Sequence, residues 1–180
     1  MKVTETKLPG VVIIEPKVHG DERGFFVETF QADRYRKEAG IELPFVQDNH
    51  SRSTRGVLRG LHAQRINPQG KLVRVARGEV FDVAVDINPR SATFGQWAGA
   101  ILSDTNHRQF WVPPGYAHGF VVLSEIADFE YKCTDYYNPA AEVGIIWNDK
   151  DVGIEWPIEN PRLSQKDGAL PTLASLKSQL

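Results

Sequence analysis

The sequence predicts a mainly β protein, an antiparallel sandwich or barrel with only a few short helices. Short runs rich in β-branched and aromatic residues recur along most of the 180-residue chain, and turn residues separate them. Only two stretches have a helical pattern, and many short strands with few helices are typical of antiparallel sandwiches and barrels. The chain has no internal repeat, low-complexity tract or linker, so we expect one domain over residues 1–180.

The first elements are bounded by clear turn signals. A strand at 11–14 lies between Pro9-Gly10 and Pro16, and a second at 24–30 is rich in aromatic residues. A helix over 32–39 ends at Gly40, the residue type usual after a helix C-terminus. Further strands are predicted at 45–51, 58–64, 71–76, 80–87, 96–102, 109–112, 119–123, 129–136 and 144–146, followed by a helix at 173–180.

Composition excludes several classes of protein. A formal net charge of −2 argues against bulk binding of nucleic acid or of an anionic membrane. The single cysteine, Cys133, excludes an intrachain disulfide and cannot alone form a thiolate zinc site. No basic-then-apolar signal begins the sequence and no apolar run approaches the roughly 20 residues of a membrane span. We therefore expect a cytoplasmic protein.

A lysine and a histidine lie within the predicted strands, and a second histidine stands at the entry to another strand. Lys71 shares a strand face with Val73 and Val75, and a lysine on an apolar face must be paired, solvated in a cavity or chemically active. The opposite face, which carries Leu72, is expected to be more solvated. These features, with His62 and His118, indicate an interior that carries out proton chemistry.

A metal site is the rival interpretation of the histidines. Small β-barrels of the cupin kind often bind iron, manganese or zinc through a His-x-His pair followed by a carboxylate. Here Gln64 stands two residues after His62, and Lys71 follows where a carboxylate would be needed. Because a nearby cation repels a divalent metal, we predict no metal site.

Other polar residues are candidates for proton transfer and for contacts to a ligand. Tyr131 on an inward face could supply an acid across a cavity from a histidine base. Arg23 and Arg59 are candidates for phosphate contacts. Gln47 and Asn49 share a face and suit polar contacts to a sugar or base. No nucleophile elbow, phosphate loop or dinucleotide fingerprint is present.

An ordered set of motifs resembles the dTDP-4-dehydrorhamnose 3,5-epimerase family of bacterial sugar-nucleotide pathways. The resemblance runs from about residue 10 to residue 167. The matching stretches are DERGFF (21–26), QDNHS (47–51), LRGLH (58–62), KLVRV (71–75), GEVFDV (78–83), Asp86 and PPGYAHGF (113–120).

The resemblance implies a cupin-type jelly roll and a homodimer with strand exchange and a shared active site. It implies a dTDP-4-keto-6-deoxy sugar as substrate and no metal or organic cofactor. It identifies His62 as the general base, Asp167 as the carboxylate that orients it, Tyr131 as the general acid and Lys71 as the cation beside the keto oxygen. The implied substrate-binding residues are Arg59 and His118 at the pyrophosphate and sugar, Tyr137 at the thymine ring, and Arg23, Phe26, Glu28, Gln47, Asn49, Glu142 and Lys166, some of which serve a partner's site.

The expected reaction is epimerisation at C3 and C5 of dTDP-4-dehydro-6-deoxy-D-glucose to dTDP-4-dehydro-L-rhamnose. The C4 ketone makes the hydrogens at C3 and C5 acidic, because the carbanion left behind is an enolate. Relatives of the same fold carry out a single epimerisation at C3 or C5, or a keto-isomerisation, so the subtype stays open. A non-catalytic sugar-nucleotide-binding module and a metal-dependent cupin oxygenase are the alternatives from other classes.

Overall fold

A computed structural model describes residues 1–177 of the chain. The helices are α1 (Ala32–Ala39), α2 (Gln165–Gly168) and α3 (Leu173–Lys177), with a 3₁₀ turn at Pro139–Ala141. The strands are β1 (Lys2–Glu5), β2 (Val12–Glu15), β3 (Val18–Asp21), β4 (Gly24–Val27), β5 (Gln47–Thr54), β6 (Leu58–Gln64), β7 (Lys71–Arg77), β8 (Glu79–Asp86), β9 (Trp97–Ser103), β10 (Gln109–Val112), β11 (Tyr116–Val122), β12 (Ile126–Cys133) and β13 (Glu142–Gly144).

The strands form two large antiparallel sheets and a separate hairpin. The six-stranded sheet has the order β1-β2-β10-β7-β12-β5, and the five-stranded sheet has the order β13-β6-β11-β8-β9. Strands β3 and β4 pair only with each other, and both are largely exposed. The predicted mainly β antiparallel fold class is confirmed.

The main hydrophobic core lies between the two sheets. Val73 and Val75 of β7 pack in one cluster with Val80 and Ala84 of β8. Residues two apart on a strand share a face, so Lys71 projects from β7 toward the same interior. The predicted inward orientation of Lys71 is therefore confirmed by its strand.

The outer face of β7 is less solvated than the sequence suggested. Leu72 is 4% exposed and packs in a second cluster with Tyr35 and Trp111. Tyr35 comes from α1, whose N-cap Gln31 accepts from Arg34 N–H and whose end is Gly40 in the left-handed conformation. The expectation of a solvated face was wrong at Leu72, because α1 covers it.

Most predicted elements are present, with shifted ends. The helix 32–39 and the strands 58–64 and 109–112 have the predicted bounds. The strand predicted at 24–30 ends at Val27, and the one predicted at 129–136 runs from Ile126 to Cys133. Strands β1 and β3 and helix α2 were not predicted, since their short sequences lack an apolar period. The C-terminal helix begins at Leu173 as predicted, and residues 178–180 lie outside the described residues.

Candidate active site

A cavity of about 500 Å³ opens beside the core between the two sheets. Strands from both sheets and the segment that leads into α2 form its walls. It brings together seven of the residues singled out from the sequence: Arg59, His62, Lys71, His118, Tyr131, Lys166 and Asp167.

The first histidine of the cavity is held by a buried carboxylate. His62 Nε2 lies 2.7 Å from Asp167 Oδ1, and Asp167 is 4% exposed. A carboxylate only accepts, so Nε2 carries the hydrogen and Nδ1 keeps a lone pair. Asp167 is fixed in turn by α2, where Ser164 Oγ accepts from its backbone N–H at 3.0 Å. The imidazole thus has one orientation and one basic nitrogen.

The second histidine has its own buried aspartate. His118 Nε2 lies 2.9 and 3.0 Å from the two carboxylate oxygens of Asp82 on β8. Both side chains are buried, and Asp82 is 0% exposed. Burial raises the pKa of Asp82, and the charges of His118 and Lys71 oppose that shift.

Close backbone contact brings the two histidines side by side. His62 of β6 and His118 of β11 are cross-strand partners. Gly60 has a φ of 120°, and a Cβ at that position would lie 2.7 Å from the carbonyl oxygen of His118. Glycine at residue 60 therefore permits the approach of β6 to β11 that builds this wall of the cavity.

Lys71 faces the cavity without a direct counter-ion. Within residues 1–177, no carboxylate oxygen lies within 4.0 Å of its Nζ. Burial lowers the pKa of Lys71, while electrostatic interactions with Cys133, Glu142 and Asp82 act in the opposite direction. An ammonium group in this setting is available to a bound anion or to an oxygen that gains negative charge.

Tyr131 contributes a weak acid to the same cavity. It lies on β12 directly opposite Asn49 of β5, and it packs against the main core. Burial is the largest of the effects that raise the pKa of its phenol. The hydroxyl therefore keeps its proton over the neutral pH range and can donate it.

Glu142 contacts three other predicted site residues: Tyr137, Lys166 and His62. Its carboxylate accepts from the Tyr137 hydroxyl and from Lys166 Nζ, each at 2.5 Å, and lies 3.9 Å from His62 Nε2. Burial would raise the pKa of Glu142, but the hydrogen bonds from Lys166 and Tyr137 outweigh it, so the pKa is lowered. Glu142 therefore carries a negative charge at neutral pH.

Polar residues at the margin of the cavity are also connected. Arg59 Nε donates to Ser53 Oγ at 3.0 Å. Gln47 accepts from the backbone N–H of Tyr137 at 2.9 Å, and its amide donates to Asn49 at 3.1 Å. Gln47 and Asn49 do not line the cavity itself, but they fix the segment that carries Tyr137.

Three predicted binding residues lie elsewhere in the chain. Arg23 is exposed at the β3–β4 turn and forms an ion pair with Asp21 at 2.5 Å. Phe26 of the same hairpin is 70% exposed. Glu28 follows β4 and forms an ion pair with Arg34 of α1. None of the three lines the cavity, so within one chain they are not brought to the site.

The described part of the chain has neither a metal-ligand cluster nor a membrane-spanning helix. Over residues 1–177, no three His, Cys, Asp or Glu side chains are arranged to hold a metal ion. Each helix in that range is too short or too polar to cross a bilayer.

Sequence reasoning missed Arg162, which lines the cavity, and two residues that support the cavity's side chains. Asp82 was recognised only as part of a family motif, although a carboxylate between Val80 and Ala84 on an apolar face is the same signal that singled out Lys71. Ser53, which supports Arg59, gave no such signal.

Comparisons with known proteins agree on one family. A sequence profile described as dTDP-4-dehydrorhamnose 3,5-epimerase matches residues 5–175. The chain is 58% identical over 175 residues to the dTDP-4-dehydrorhamnose 3,5-epimerase of Salmonella typhimurium, and the alignment covers 96% of each chain.

Solved structures of similar proteins share the fold. The Legionella pneumophila dTDP-6-deoxy-D-glucose-3,5-epimerase in complex with dTDP-4-keto-L-rhamnose has a TM-score of 0.96 and 56% identity, covering 99% of this chain and 95% of that one. A 3′-monoepimerase from Streptomyces bikiniensis in complex with dTDP-quinovose has a TM-score of 0.90 and 33% identity, covering 97% and 89%.

Proposed function

Because the chain belongs to the dTDP-4-dehydrorhamnose 3,5-epimerase family, we propose that it epimerises C3 and C5 of dTDP-4-dehydro-6-deoxy-D-glucose to give dTDP-4-dehydro-L-rhamnose. The observation that carries this proposal is the meeting of a histidine–aspartate pair, a lysine and a tyrosine in one cavity. These are the groups that proton exchange next to a ketone requires.

His62 acts as the general base. Its Nδ1 lone pair removes the hydrogen from the carbon next to the C4 ketone, and the electrons pass to the ketone oxygen to form an enolate. Asp167, 2.7 Å from Nε2, stabilises the imidazolium that results. Because the carboxylate also fixes the ring, the base meets each carbon in a defined orientation.

Lys71 stabilises the negative charge of the enolate oxygen. The charge is full only along the reaction path, so the ammonium lowers the barrier more than it tightens binding of the substrate. The absence of a direct counter-ion within residues 1–177 leaves its N–H donors for that oxygen. The low dielectric of the buried cavity strengthens the interaction.

Tyr131 returns a proton to the opposite face of the sugar ring. Inversion at carbon requires the new proton to arrive from the side away from the base, so the acid and the base need separate side chains. The pKa of Tyr131 is raised by burial, which keeps it protonated until the enolate takes the proton. The imidazolium of His62 and the tyrosinate then exchange protons with solvent before the next step.

The remaining residues bind the nucleotide. Arg59 and Lys166 supply positive charge and N–H donors for the pyrophosphate and sugar, and His118, whose Nε2–H donates to Asp82, presents Nδ1 to them. Tyr137 offers its ring to the thymine. Its hydroxyl donates to Glu142 and its backbone N–H donates to Gln47, whose amide donates in turn to Asn49. No metal or organic cofactor takes part in this scheme.

We propose that the working form is a homodimer whose β3–β4 hairpin completes the partner's site. Arg23 and Phe26 are highly exposed on that hairpin, and Glu28 follows it. Phe25 and Phe26 are 62% and 70% exposed, an apolar surface that a second copy can cover.

We place the dimer in the cytoplasm, where the single buried thiol of Cys133 stays reduced.

Proton exchange in deuterium oxide tests the proposed function. We expect proton NMR of dTDP-4-dehydro-6-deoxy-D-glucose to show deuterium at both C3 and C5 with the wild-type enzyme. Label at one carbon only would assign the chain to the single-epimerisation enzymes, such as the 3′-monoepimerase to which it is similar. Absence of label would leave a sugar-nucleotide-binding module. The variant His62→Asn should lose this exchange. Its matched control is His50→Asn, because His50 also contacts an aspartate but lies on β5 outside the cavity.

A further inference from the structure

The buried carboxylate of Asp82 has no role in the reaction as described so far. Its only hydrogen-bond partner among residues 1–177 is His118 Nε2, which lies within 3.0 Å of both of its oxygens. Asp82 is 0% exposed, and an ionised carboxylate is costly to bury unless it is paired. Burial of the Asp82 carboxylate is therefore unfavourable for stability and calls for another explanation.

Asp82 and Lys71 face the same interior from opposite sheets. Asp82 shares a face of β8 with Val80 and Ala84, since the three lie two residues apart. Val80 and Ala84 both belong to the core cluster between the sheets. Lys71 shares its strand face with Val73, which belongs to the same cluster. The two charged side chains thus project into one low-dielectric space, where opposite charges interact strongly.

We infer that Asp82 is a positioning residue of the epimerase: its carboxylate fixes the His118 ring and supplies the negative charge that keeps Lys71 protonated. The inference rests on the proposed function, because it assigns Lys71 to the enolate oxygen. The carboxylate accepts from His118 Nε2–H, so the imidazole is held in one orientation with Nε2 as the donor. The charge of Asp82 also acts on Lys71, which projects into the same interior from the opposite sheet.

Cys133 and Glu142 act on Lys71 in the same direction as Asp82, but each has its charge reduced by its own surroundings. Cys133 is a thiol whose pKa is raised by burial, so it is neutral at neutral pH. Glu142 is paired with Lys166 at 2.5 Å, which offsets its charge. The titratable groups that line the cavity with Lys71 are Arg59, His62, His118, Tyr131, Arg162, Lys166 and Asp167.

The variant Asp82→Asn tests the inference through its pH profile. The amide keeps the shape and an acceptor for His118, but it removes the charge. Without that charge Lys71 loses its proton at lower pH, so the alkaline limb of kcat moves down by roughly one pH unit. We expect kcat at neutral pH to fall by about tenfold or more, but by less than the roughly 10²- to 10³-fold loss for removing a direct donor.

A matched control separates this effect from general loss of a buried ion pair. Asp128 forms another histidine–aspartate pair, with His50, and does not line the cavity. Asp128→Asn removes that carboxylate. The control should keep the wild-type alkaline limb. Asp167→Asn should lower kcat through His62 without moving the alkaline limb that Lys71 sets.

The outcomes distinguish this inference from the proposed function. If the wild-type enzyme exchanges no proton at C3 or C5, the proposed function fails. If the wild type is active and Asp82→Asn keeps its kcat and alkaline limb, the role of Asp82 is overturned. Should Asp82→Asn fail to fold, ¹⁵N NMR of wild-type His118 decides: we expect a protonated Nε2, and an unprotonated Nε2 at neutral pH contradicts the inference.

Discussion

His62 and His118 stand directly opposite each other on β6 and β11, and the Nε2 atom of each faces a different buried aspartate. Asp167 comes from a short helix late in the chain, whereas Asp82 comes from the middle of β8. The cavity therefore contains two imidazoles whose tautomers are set independently. We propose that one ring moves protons while the other binds the substrate, a division that the following predictions test.

Replacing Asp167 should disable the base without removing it. In Asp167→Asn, the side-chain amide can donate to His62 and favour the wrong tautomer, so kcat should fall by up to roughly 10⁴-fold, the loss seen for the same change in a serine protease triad. His62→Asn should lose at least as much activity. Steady-state conversion of the substrate measures both, with His50→Asn as the control. Near-wild-type kcat in Asp167→Asn would remove the dyad from the mechanism.

Lys71→Met should lower the activity of the protein and raise its stability. We expect kcat to fall by roughly 10²- to 10³-fold with little change in KM, since the enolate charge arises only along the reaction path. The folded-state pKa of Lys71 is lowered by burial, so the folded state disfavours the charged form. The free energy of unfolding of the variant should therefore exceed that of the wild type at neutral pH.

The pH dependence of that difference has a definite sign. Between the lowered folded-state pKa and the ordinary value the unfolded chain binds more protons, so the stability of the wild type rises with pH. The advantage of Lys71→Met should shrink as pH rises through this window, as measured by urea unfolding. Lys132→Met is the control, because Lys132 pairs with the exposed Asp48 at 3.0 Å. A variant less stable than wild type at neutral pH would contradict this and show that the interaction of Lys71 with Asp82 outweighs the cost of burying the ammonium group.

Mixing two inactive chains should restore activity if the site is shared. His62→Asn removes the base from its own chain, and Arg23→Ala removes a residue that we assign to the partner's site. In a mixed dimer one site is then intact, so random reassembly should recover about one quarter of wild-type activity. The measurement is kcat after joint unfolding and refolding of the two variants. No recovery, with dimers present by size-exclusion chromatography, would place Arg23 outside the partner's site.

The Arg52–Asp128 pair should contribute to stability above about pH 4. Hydrogen bonds from the Arg52 guanidinium lower the pKa of Asp128 to about 2. Because the folded-state value lies below the unfolded one, the contribution is present above the unfolded pKa and is lost as pH falls toward 2. The stability difference between wild type and Asp128→Asn should therefore shrink on acidification, as thermal unfolding can show. Asp33→Asn, which breaks an exposed pair on α1, should show little difference at any pH.

Local sequence patterns predicted most of the strands, but they did not predict which elements pack against each other in the folded chain. The alternation of apolar residues along β7 was enough to orient Lys71 inward, because a strand face is set by a period of two. The same alternation failed for Leu72, since its burial depends on α1, which no local pattern docks onto the sheet. Strand β3 has the exposed sequence VHGD and no apolar period, so it was not predicted.

The candidate site shows the same limit. Asp167 lies 105 residues from His62 in sequence, and nothing in its local sequence signals the 2.7 Å contact. Only the family resemblance linked the two, and the structure supplied the contact. Asp82, by contrast, carried a local signal, a carboxylate on an apolar strand face. The same strand alternation that orients Lys71 inward therefore also predicts an inward carboxylate at Asp82.

The separation of proton removal from inversion is the central claim, and Tyr131→Phe tests it most directly. The substrate is incubated in deuterium oxide, and proton NMR follows both the label at C3 and C5 and the configuration of the sugar. With His62 intact and the acid removed, we expect deuterium to enter with retention while formation of the inverted product falls by roughly 10²-fold or more. Wild-type inversion by Tyr131→Phe, or the loss of all exchange, would contradict the assignment of separate base and acid.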